Sequence, residues 1–397
     1  MDVGAAAAHR RPPAPRRGGR RGRATGGGAR RPAAGRTAAS RRRCRGEPAR
    51  HPAPRHPPGA AARGRALTAI AVLDPTSLLG RELVETVERE RPDLGGGLSL
   101  LSADEEEIGQ LTEAVGAAAL VARADAAAIA TSDVIVVCGA LDLYRELLDR
   151  RRPDATVLYL APDAEGEGAR PVVAGVNLDD AAAGEALLSP HPGAILLAHL
   201  LHPLARLGLA DCVATLVQPA SLFGRGALDE LFAQAGRIVA LTGQEEGEHF
   251  RRQLAFNLYP APRPPRIGEQ TLAVLAAGDG DGRADAAPPA LAVHLLQGGV
   301  FHGFSALLRV RLGEDVPADE VRERLGESAS IELSEPDERG DDLLGPIDSA
   351  AHDKVLVGPV RRDDAGGPGP AYWMWGVMDN LTRGGALNAL AILERVV

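Results

Sequence analysis

The chain has 397 residues, of which 45% are hydrophobic, enough for two domains of ordinary size and a tail. Its net charge of -8 is unevenly divided: residues 1–65 hold 18 arginines against two acidic side chains, whereas the remainder holds 27 basic against 51 acidic side chains. Because an acidic body repels phosphate backbones and anionic membranes, the composition argues against nucleic acid as the main partner of the folded part.

Cysteine usage and hydropathy restrict the cellular context. The three cysteines, Cys44, Cys138 and Cys212, lie far apart and form no CxxC or Cys/His spacing, so we expect neither a disulfide framework nor a structural metal. This usage fits a reducing, cytoplasmic environment. No apolar run reaches the roughly 18 residues of a membrane span, and the N-terminus lacks an apolar signal-peptide core.

Residues 1–65 are rich in Arg, Pro, Gly and Ala and lack apolar periodicity, which predicts a disordered tail. Three interpretations stay open. The tail is a solvated extension or a misassigned start, an Arg-rich organelle transit peptide, or a nucleic-acid-binding arm. We favour the first.

The composition changes at Leu67, where a first domain is predicted over residues 66–190. The segment "LTAIAVLD" predicts a buried strand, followed by a turn at Pro75 and a helix from about Leu78 to Arg89. Further strands are predicted at "LSLLS", "DVIVVCGA" and "TVLYLA", with a helix around Leu141 to Arg150. Unbroken apolar strands alternating with helices predict an α/β fold with a doubly wound, Rossmann-like parallel sheet.

Several segments, in order over about residues 68–397, carry a family resemblance. They include "LDPTSLLG", "CVATLVQPASLFG", "RRQLAFNLYP" and the C-terminal "WMWGVMDNLTRGGALNALAILERV". Together they resemble the aspartate-semialdehyde dehydrogenase family. The resemblance implies an α+β dimerisation-type domain over residues 191–365 and a C-terminal strand and helix over residues 366–397 that pack back on the first domain. It also implies a homodimer.

The cofactor loop departs from the family's GxxGxxG pattern. Asp74 and Ser77 stand at the first two glycine positions, and only Gly80 is kept. A carboxylate near a pyrophosphate repels it, and a side chain blocks the close approach that glycine allows. We therefore expect no cofactor, or NADP if any is bound. The remnant cofactor-binding positions implied by the resemblance are Thr76, Gly80, Cys138, Gly139 and Asn380.

The resemblance also places the catalytic positions. The family's nucleophilic cysteine lies at a helix N-terminus, and the register of "SPHPGAILLAHLLHPLARLG" puts Pro192 there. The substrate-binding arginine and the general-base histidine fall at Gln297 and Phe304, whereas Gln218 keeps the glutamine that orients the acyl intermediate. Without a nucleophile, an aldehyde cannot form the covalent adduct from which hydride leaves.

Other residues offer substitutes, each with a structural alternative. Cys138 is a relocated nucleophile or a packing residue at a strand end. His302 is a shifted base, because it shares a strand face with Phe304 if the strand is regular, or a polar loop residue. His191, His199 and His202 form a metal site, or belong to a helix surface or a subunit contact. We favour the structural alternative for each.

Five elements of one mechanism are altered together: two cofactor-loop glycines, the nucleophile, the substrate arginine and the base. This pattern is similar to a cysteine-less branch of the family and predicts a catalytically inactive homodimer that binds a protein or a small anion. Two alternatives stay open. One is an NADP-dependent semialdehyde dehydrogenase of amino-acid biosynthesis with atypical residues, and the other is different chemistry in the old cleft.

Overall fold

Two large sheets flanked by helices, and a small two-stranded sheet, make up the described part of the chain in a computed structural model. The structure describes residues 68–397 except 115–116, 161–163, 165–166, 244–246, 263–264, 278–287 and 366. The predicted tail, residues 1–65, and most of a Gly/Asp/Pro-rich linker predicted at residues 278–289 lie outside the described residues.

The first part of the chain alternates strands and helices. Its elements are β1 (Ile70–Leu73), α1 (Leu78–Glu90), α2 (Pro92–Gly95), β2 (Leu98–Ser102), β3 (Leu111–Ala114), β4 (Ala117–Leu120), β5 (Ala122–Arg123), α3 (Ala126–Thr131), β6 (Val134–Val137), α4 (Arg145–Leu148), β7 (Thr156–Tyr159), β8 (Arg170–Pro171) and β9 (Ala186–Leu188).

The second part forms a mixed sheet with its own helices. Its elements are α5 (Pro192–Leu201), β10 (Asp211–Gln218), α6 (Arg225–Ala240), β11 (Leu258–Pro260), α7 (Ile267–Ala277), β12 (Ala290–Gly298), β13 (Phe304–Arg311), α8 (Ala318–Gly326), β14 (Ile331–Leu333), β15 (Val355–Val357), β16 (Arg361–Arg362), β17 (Ala371–Met378) and α9 (Leu387–Val396).

Seven strands form the first sheet in the order β5-β2-β1-β6-β7-β9-β8, and every neighbouring pair is parallel. β1, β6 and β7 are buried at every position, and separate apolar clusters cover the two faces of the sheet. The predicted doubly wound sheet is confirmed. The strand order reverses between β1 and β6, so their carboxyl ends bound the crevice where such folds bind ligands.

The helix predicted from Leu141 to Arg150 is broken. A short 3-10 turn, Leu141–Leu143, precedes the single turn of α4. Between them Tyr144 is fully buried, and its hydroxyl donates to Asp74 Oδ1 and accepts from Ala103 N at 3.2 Å. Helical periodicity in the sequence predicts which face is buried, but it does not predict the tertiary hydrogen bonds of Tyr144, which lies where the helix is broken.

The second sheet has eight strands in the order β11-β12-β10-β13-β17-β15-β14, with β16 added to β17. Alternate residues of β10, β13 and β17 pack into a core with α5, and β14 lies at the edge. The opposite face stays open, with exposed fractions of 51% for Val213, 42% for Leu307 and 39% for Trp373. A mixed sheet that leaves large apolar side chains on a solvent-facing side is a surface that an interaction would cover.

The C-terminal segment returns to the first sheet. After β17, one π-helical turn, Thr382–Ala386, leads into α9, which packs with α1 in the apolar cluster of the first sheet. The domain boundaries at residues 190 and 365 stay a prediction. Across the described ranges, no helix is both long and apolar enough to span a membrane.

Candidate functional site

A cavity of about 150 Å³ lies where the ends of β1 and β6 face the start of α5 and the π-helical turn. Its lining brings together five positions singled out from the sequence: Ser77, Cys138, His191, Pro192 and Asn380. Gln218, Gln297 and Phe304 are buried outside this lining.

The predicted nucleophile position is the first residue of α5. Pro192 is well suited there, because its fixed φ is helical and its missing N–H would have no partner in the helix. A methyl group added to Gly384 would lie 3.2 Å from Pro192 Cβ, so the ring borders the π-helical turn. Pro192 therefore closes the end of the helix that a reactive thiol would otherwise occupy.

His191 caps this helix. Its Nδ1 accepts from Gly193 N at 3.1 Å, and the residue is only 8% exposed. Burial lowers the pKa of His191 to about 3. The ring is neutral at physiological pH, with its proton on Nε2, because Nδ1 acts as the acceptor. Such an imidazole is a helix cap and a poor general base.

The predicted base position lies beside this cap. Phe304 is fully buried, and its ring meets the His191 ring edge-on, with centroids 5.5 Å apart. His302 lies in the turn before β13 and is exposed, and Gly303 there has a φ of +89°. The strand alternation that would have aligned His302 with Phe304 does not extend to this turn, so the geometric basis for a shifted base is absent.

Gln218 and Gln297 are paired with each other. They are register partners on β10 and β12, and Gln218 Nε2 donates to Gln297 Oε1 at 2.8 Å. Gln297 Nε2 in turn contacts the carbonyl oxygens of Gln218 and Gly298 at 3.3 Å each. Both amides are buried. The predicted position of the substrate-binding arginine, Gln297, thus offers no charge for a carboxylate.

Neither described cysteine is an activated nucleophile. Cys138 lines the cavity, but burial and the nearby Asp74 carboxyl raise the pKa of its thiol far above the usual range. Cys212 faces the core from β10, where burial raises its pKa to about 12. Since the thiolate is the reactive species, both cysteines are packing residues at neutral pH.

Asp74 fills the crevice in which a dinucleotide phosphate would lie. The residue has a φ of +59°, and any side chain at Gly139 would overlap its carboxyl group. Burial raises the pKa of Asp74, against the hydrogen bond from Tyr144. Phosphate oxygens therefore meet an occupied and acidic loop. The residues present do not fit NADP in the pose for which GxxGxxG loops are built.

The other residues of this loop cap the N-terminus of α1. Ser77 Oγ accepts from Gly80 N at 3.0 Å and donates to Asp74 O at 2.8 Å. A side chain at Gly80 would overlap the Asp74 carbonyl oxygen. The hydroxyl of Thr76 is buried without a partner in the described chain. Gly80 is thus required by the loop itself.

Asn380 keeps one unused hydrogen-bonding group at the cavity. Its Oδ1 accepts from Ser221 Oγ at 3.2 Å and from Gly303 N at 3.1 Å. Its Nδ2 is buried, with no acceptor among the residues that the structure describes. An unpaired buried amide N–H is costly, so Asn380 is held in place by its Oδ1 contacts at the expense of its Nδ2 group.

The interpretation of the helix histidines as surface residues or subunit contacts is wrong for His191 and His199, which are both buried. His199 is 2% exposed, and its Nε2 lies 2.9 Å from Arg383 Nη2. Burial, and then the charge of Arg383, lower its pKa well below the usual range. In the described ranges, no group of three His, Cys, Asp or Glu side chains could hold a metal ion.

Asn388 and Arg383 have structural roles that no sequence motif indicated. Asn388 Oδ1 accepts from Ala174 N, and its Nδ2 donates to Val172 O and Ser189 Oγ, which ties α9 to the cavity wall. A polar residue inside the apolar pattern of α9 was the available signal.

No protein-family model matches the sequence. The chain is 28% identical over 351 residues to a USG-1 protein homolog of Azotobacter vinelandii, covering 83% of this chain and 97% of that protein. It is 27% identical over 201 residues to an aspartate-semialdehyde dehydrogenase of Shewanella violacea, a match covering 48% of this chain and 55% of that enzyme.

Comparison with solved structures gives the same family. A probable aspartate-semialdehyde dehydrogenase of Pseudomonas aeruginosa superposes with a TM-score of 0.69 at 27% identity, over 82% of this chain and 97% of that one. In sequence and fold, the chain is therefore similar to the aspartate-semialdehyde dehydrogenase family. A more distant member from Candida albicans, solved with NADP, shares the fold at a TM-score of 0.56 and 15% identity, over 83% of this chain and 99% of that one.

Proposed function

We propose that this chain is a catalytically inactive, homodimeric member of the aspartate-semialdehyde dehydrogenase family that acts by binding. The observation that carries the proposal is the pair of positions around His191. Pro192 closes the helix end where a thiol is needed, and Phe304 is buried where a base is needed. The nucleophilic thiol and the base that would activate it are therefore both missing around His191.

The neighbouring groups do not replace them. Aldehyde oxidation by this route needs a thiolate to add to the carbonyl carbon and a base to take up a proton. The Cys138 thiol stays protonated because burial raises its pKa, and His191 holds its helix cap with a pKa of about 3. Neither group performs its step near pH 7.

Cofactor binding is also opposed. The Asp74 carboxyl lies against Gly139, and this contact supports the loss of NADP binding. The test is the melting temperature of the purified chain with and without about 1 mM NADP or NAD, since a ligand of the native state stabilises it. We expect no shift. A rise of several degrees would contradict this part of the proposal.

The open face of the second sheet supports a homodimer. Val213 on β10, Leu307 on β13 and Trp373 on β17 lie on the face opposite the core and are partly exposed. A two-fold axis would let this patch pack on its own copy.

Catalysis is tested directly with aspartate semialdehyde, phosphate and NADP, by following NADPH absorbance. We expect no turnover from the wild type or from Pro192→Cys, because Gln297 and Phe304 still lack the arginine and histidine functions. Turnover that Gln218→Ala abolishes would overturn the proposal. It would favour the alternative, an NADP-dependent dehydrogenase with atypical residues.

A further inference from the structure

A second, larger space of about 760 Å³ lies on the surface between α1, the π-helical turn and α9 on one side and the loop before β15 on the other. We refer to it as the Arg383 groove. It is separate from the cavity described above, because Thr382 and Arg383 line the groove whereas Gly384 and Gly385 line the cavity. One turn of helix thus divides the two spaces.

Arg383 is a largely buried cation held only by neutral groups. Its Nη2 donates to Ser330 Oγ at 2.7 Å and Ala174 O at 3.4 Å, and it lies 2.9 Å from His199 Nε2. Its Nε is buried without a partner, and no carboxylate lies within 4 Å in the described chain. Burial lowers the pKa of Arg383, and the charge of the more distant Asp353 carboxyl opposes this shift. Buried guanidinium groups are normally paired directly, and among the described residues Arg383 has no carboxylate in direct contact.

Glu82 is the complementary feature on α1. Its Oε1 accepts from Thr382 Oγ1 at 2.8 Å, which fixes the carboxylate beside the same turn. No cation lies within 4 Å of it among the described residues, so Glu82 and Arg383 line one groove without forming an ion pair.

Other charged groups at the groove already have partners. These pairs are Arg89 with Glu90 at 2.9 Å, Lys354 with Glu332 at 3.6 Å and Glu394 with Arg91 at 2.6 Å. Asp353 is exposed and approaches only His352, at 3.6 Å. The unpaired charges are therefore one guanidinium and two carboxylates.

We propose that the Arg383 groove binds a free α-amino acid, with its carboxylate on Arg383 and its ammonium group on Glu82. A guanidinium and a carboxylate that line one groove without pairing offer one contact to each end of a zwitterion. A simple anion is repelled by Glu82 and Asp353, and a simple cation is repelled by Arg383. Leu387, Leu390 and Ala391 supply apolar surface for an aliphatic portion.

Amino-acid binding in the Arg383 groove would supply a ligand for the proposed binding role, and it depends on residues outside the inactive catalytic site. Inactivity and amino-acid binding can therefore be refuted independently. Turnover of aspartate semialdehyde would refute inactivity and leave the groove untouched, whereas an empty groove would leave the inactive site as it is.

The ligand test uses the full chain and a thermal-shift screen of the twenty amino acids at about 10 mM, followed by calorimetry on the one giving the largest shift. We expect its carboxamide, which lacks the carboxylate, and its N-acetyl form, which lacks the ammonium group, to bind at least about 10-fold more weakly. A screen without any shift overturns the proposal. Equal binding of either derivative does so too, because it would indicate a simple cation or anion site.

Matched variants locate the site. Glu82→Gln keeps an oxygen for Thr382 Oγ1 and removes the charge, and Arg383→Gln removes the guanidinium. Each should raise the Kd at least about 10-fold. Glu90→Gln and Arg89→Gln alter groove charges that already pair with each other, and these controls should bind as the wild type does. If Arg383→Gln does not fold, Glu82→Gln decides: unchanged affinity in that variant refutes the site.

Discussion

Burial of neutral histidines makes the fold sensitive to acid. The folded pKa of His191 is about 3, below the unfolded value of about 6.5. The unfolded chain alone gains a proton as pH falls through 6.5, so stability is complete above that pH and declines below it, down to about pH 3. His199 has the same direction of shift.

We predict that His191→Asn reduces this loss. Asparagine is a favoured N-cap, so it replaces the cap of α5 without introducing a titrating group. Between pH 7.5 and pH 5, the variant should lose about 2 kcal/mol less unfolding free energy than the wild type. Urea denaturation at the two pH values measures the difference, and parallel losses in both proteins would contradict the assigned pKa.

At the scale of single residues, the sequence assigns family positions to Pro192, Phe304 and Asp74 through a register in continuous segments, and these assignments stay predictions. It did not place the side chains that depend on tertiary contacts. His199 looked like a surface residue because helical spacing reports a face and not the Arg383 guanidinium behind it. His302 would share a strand face with Phe304 only if the strand were regular through Gly303, and the positive φ of Gly303 interrupts it.

Among the elements, β10 and β12 are joined by the Gln218–Gln297 amide pair. We predict that Gln297→Met costs about 1–3 kcal/mol, because Gln218 Nε2 keeps its burial and loses its acceptor. The double variant Gln218→Met/Gln297→Met should cost less than the sum of the two single variants. Chemical denaturation of all four proteins gives the coupling energy, and strictly additive costs would show that the pair is not coupled.

The start of α5 offers a second prediction at this scale. In a Cys44→Ser background, Pro192→Cys should create a thiol that iodoacetamide alkylates at least about 10-fold faster than Cys138 or Cys212, since a helix N-terminus favours the thiolate. Mass spectrometry of the labelled peptides at pH 7 compares the sites. Rapid labelling of Cys138 in the parent protein would instead indicate an accessible, activated thiol in the cavity.

Element types were largely predictable because β1, β6 and β7 are unbroken apolar runs and the amphipathic α1 has clear ends. The segment from Leu141 to Arg150 was not predictable in detail. Its break depends on Tyr144 reaching Asp74, a contact 70 residues apart in sequence. Hydrophobic spacing carries no record of such a partner.

For the whole molecule, the open sheet face determines the assembly we expect. Sedimentation should give a dimer for the wild type, and Leu307→Asp should raise the dimer Kd at least about 10-fold, because a buried unpaired carboxylate opposes packing. Leu343→Asp is the control, since Leu343 is 79% exposed and lies outside the sheet. A monomeric wild type, or equal Kd values in both variants, would refute the assigned face.

Gly139 is constrained by a contact within the chain. In a dinucleotide-binding loop, a missing side chain makes room for the cofactor; here the same vacancy is filled by the carboxyl of Asp74. Intolerance of substitution at position 139 would thus be no sign of a working oxidoreductase. The cause of such intolerance lies within the chain. Replacing Asp74 with a smaller residue should remove the overlap and make a side chain at position 139 tolerable.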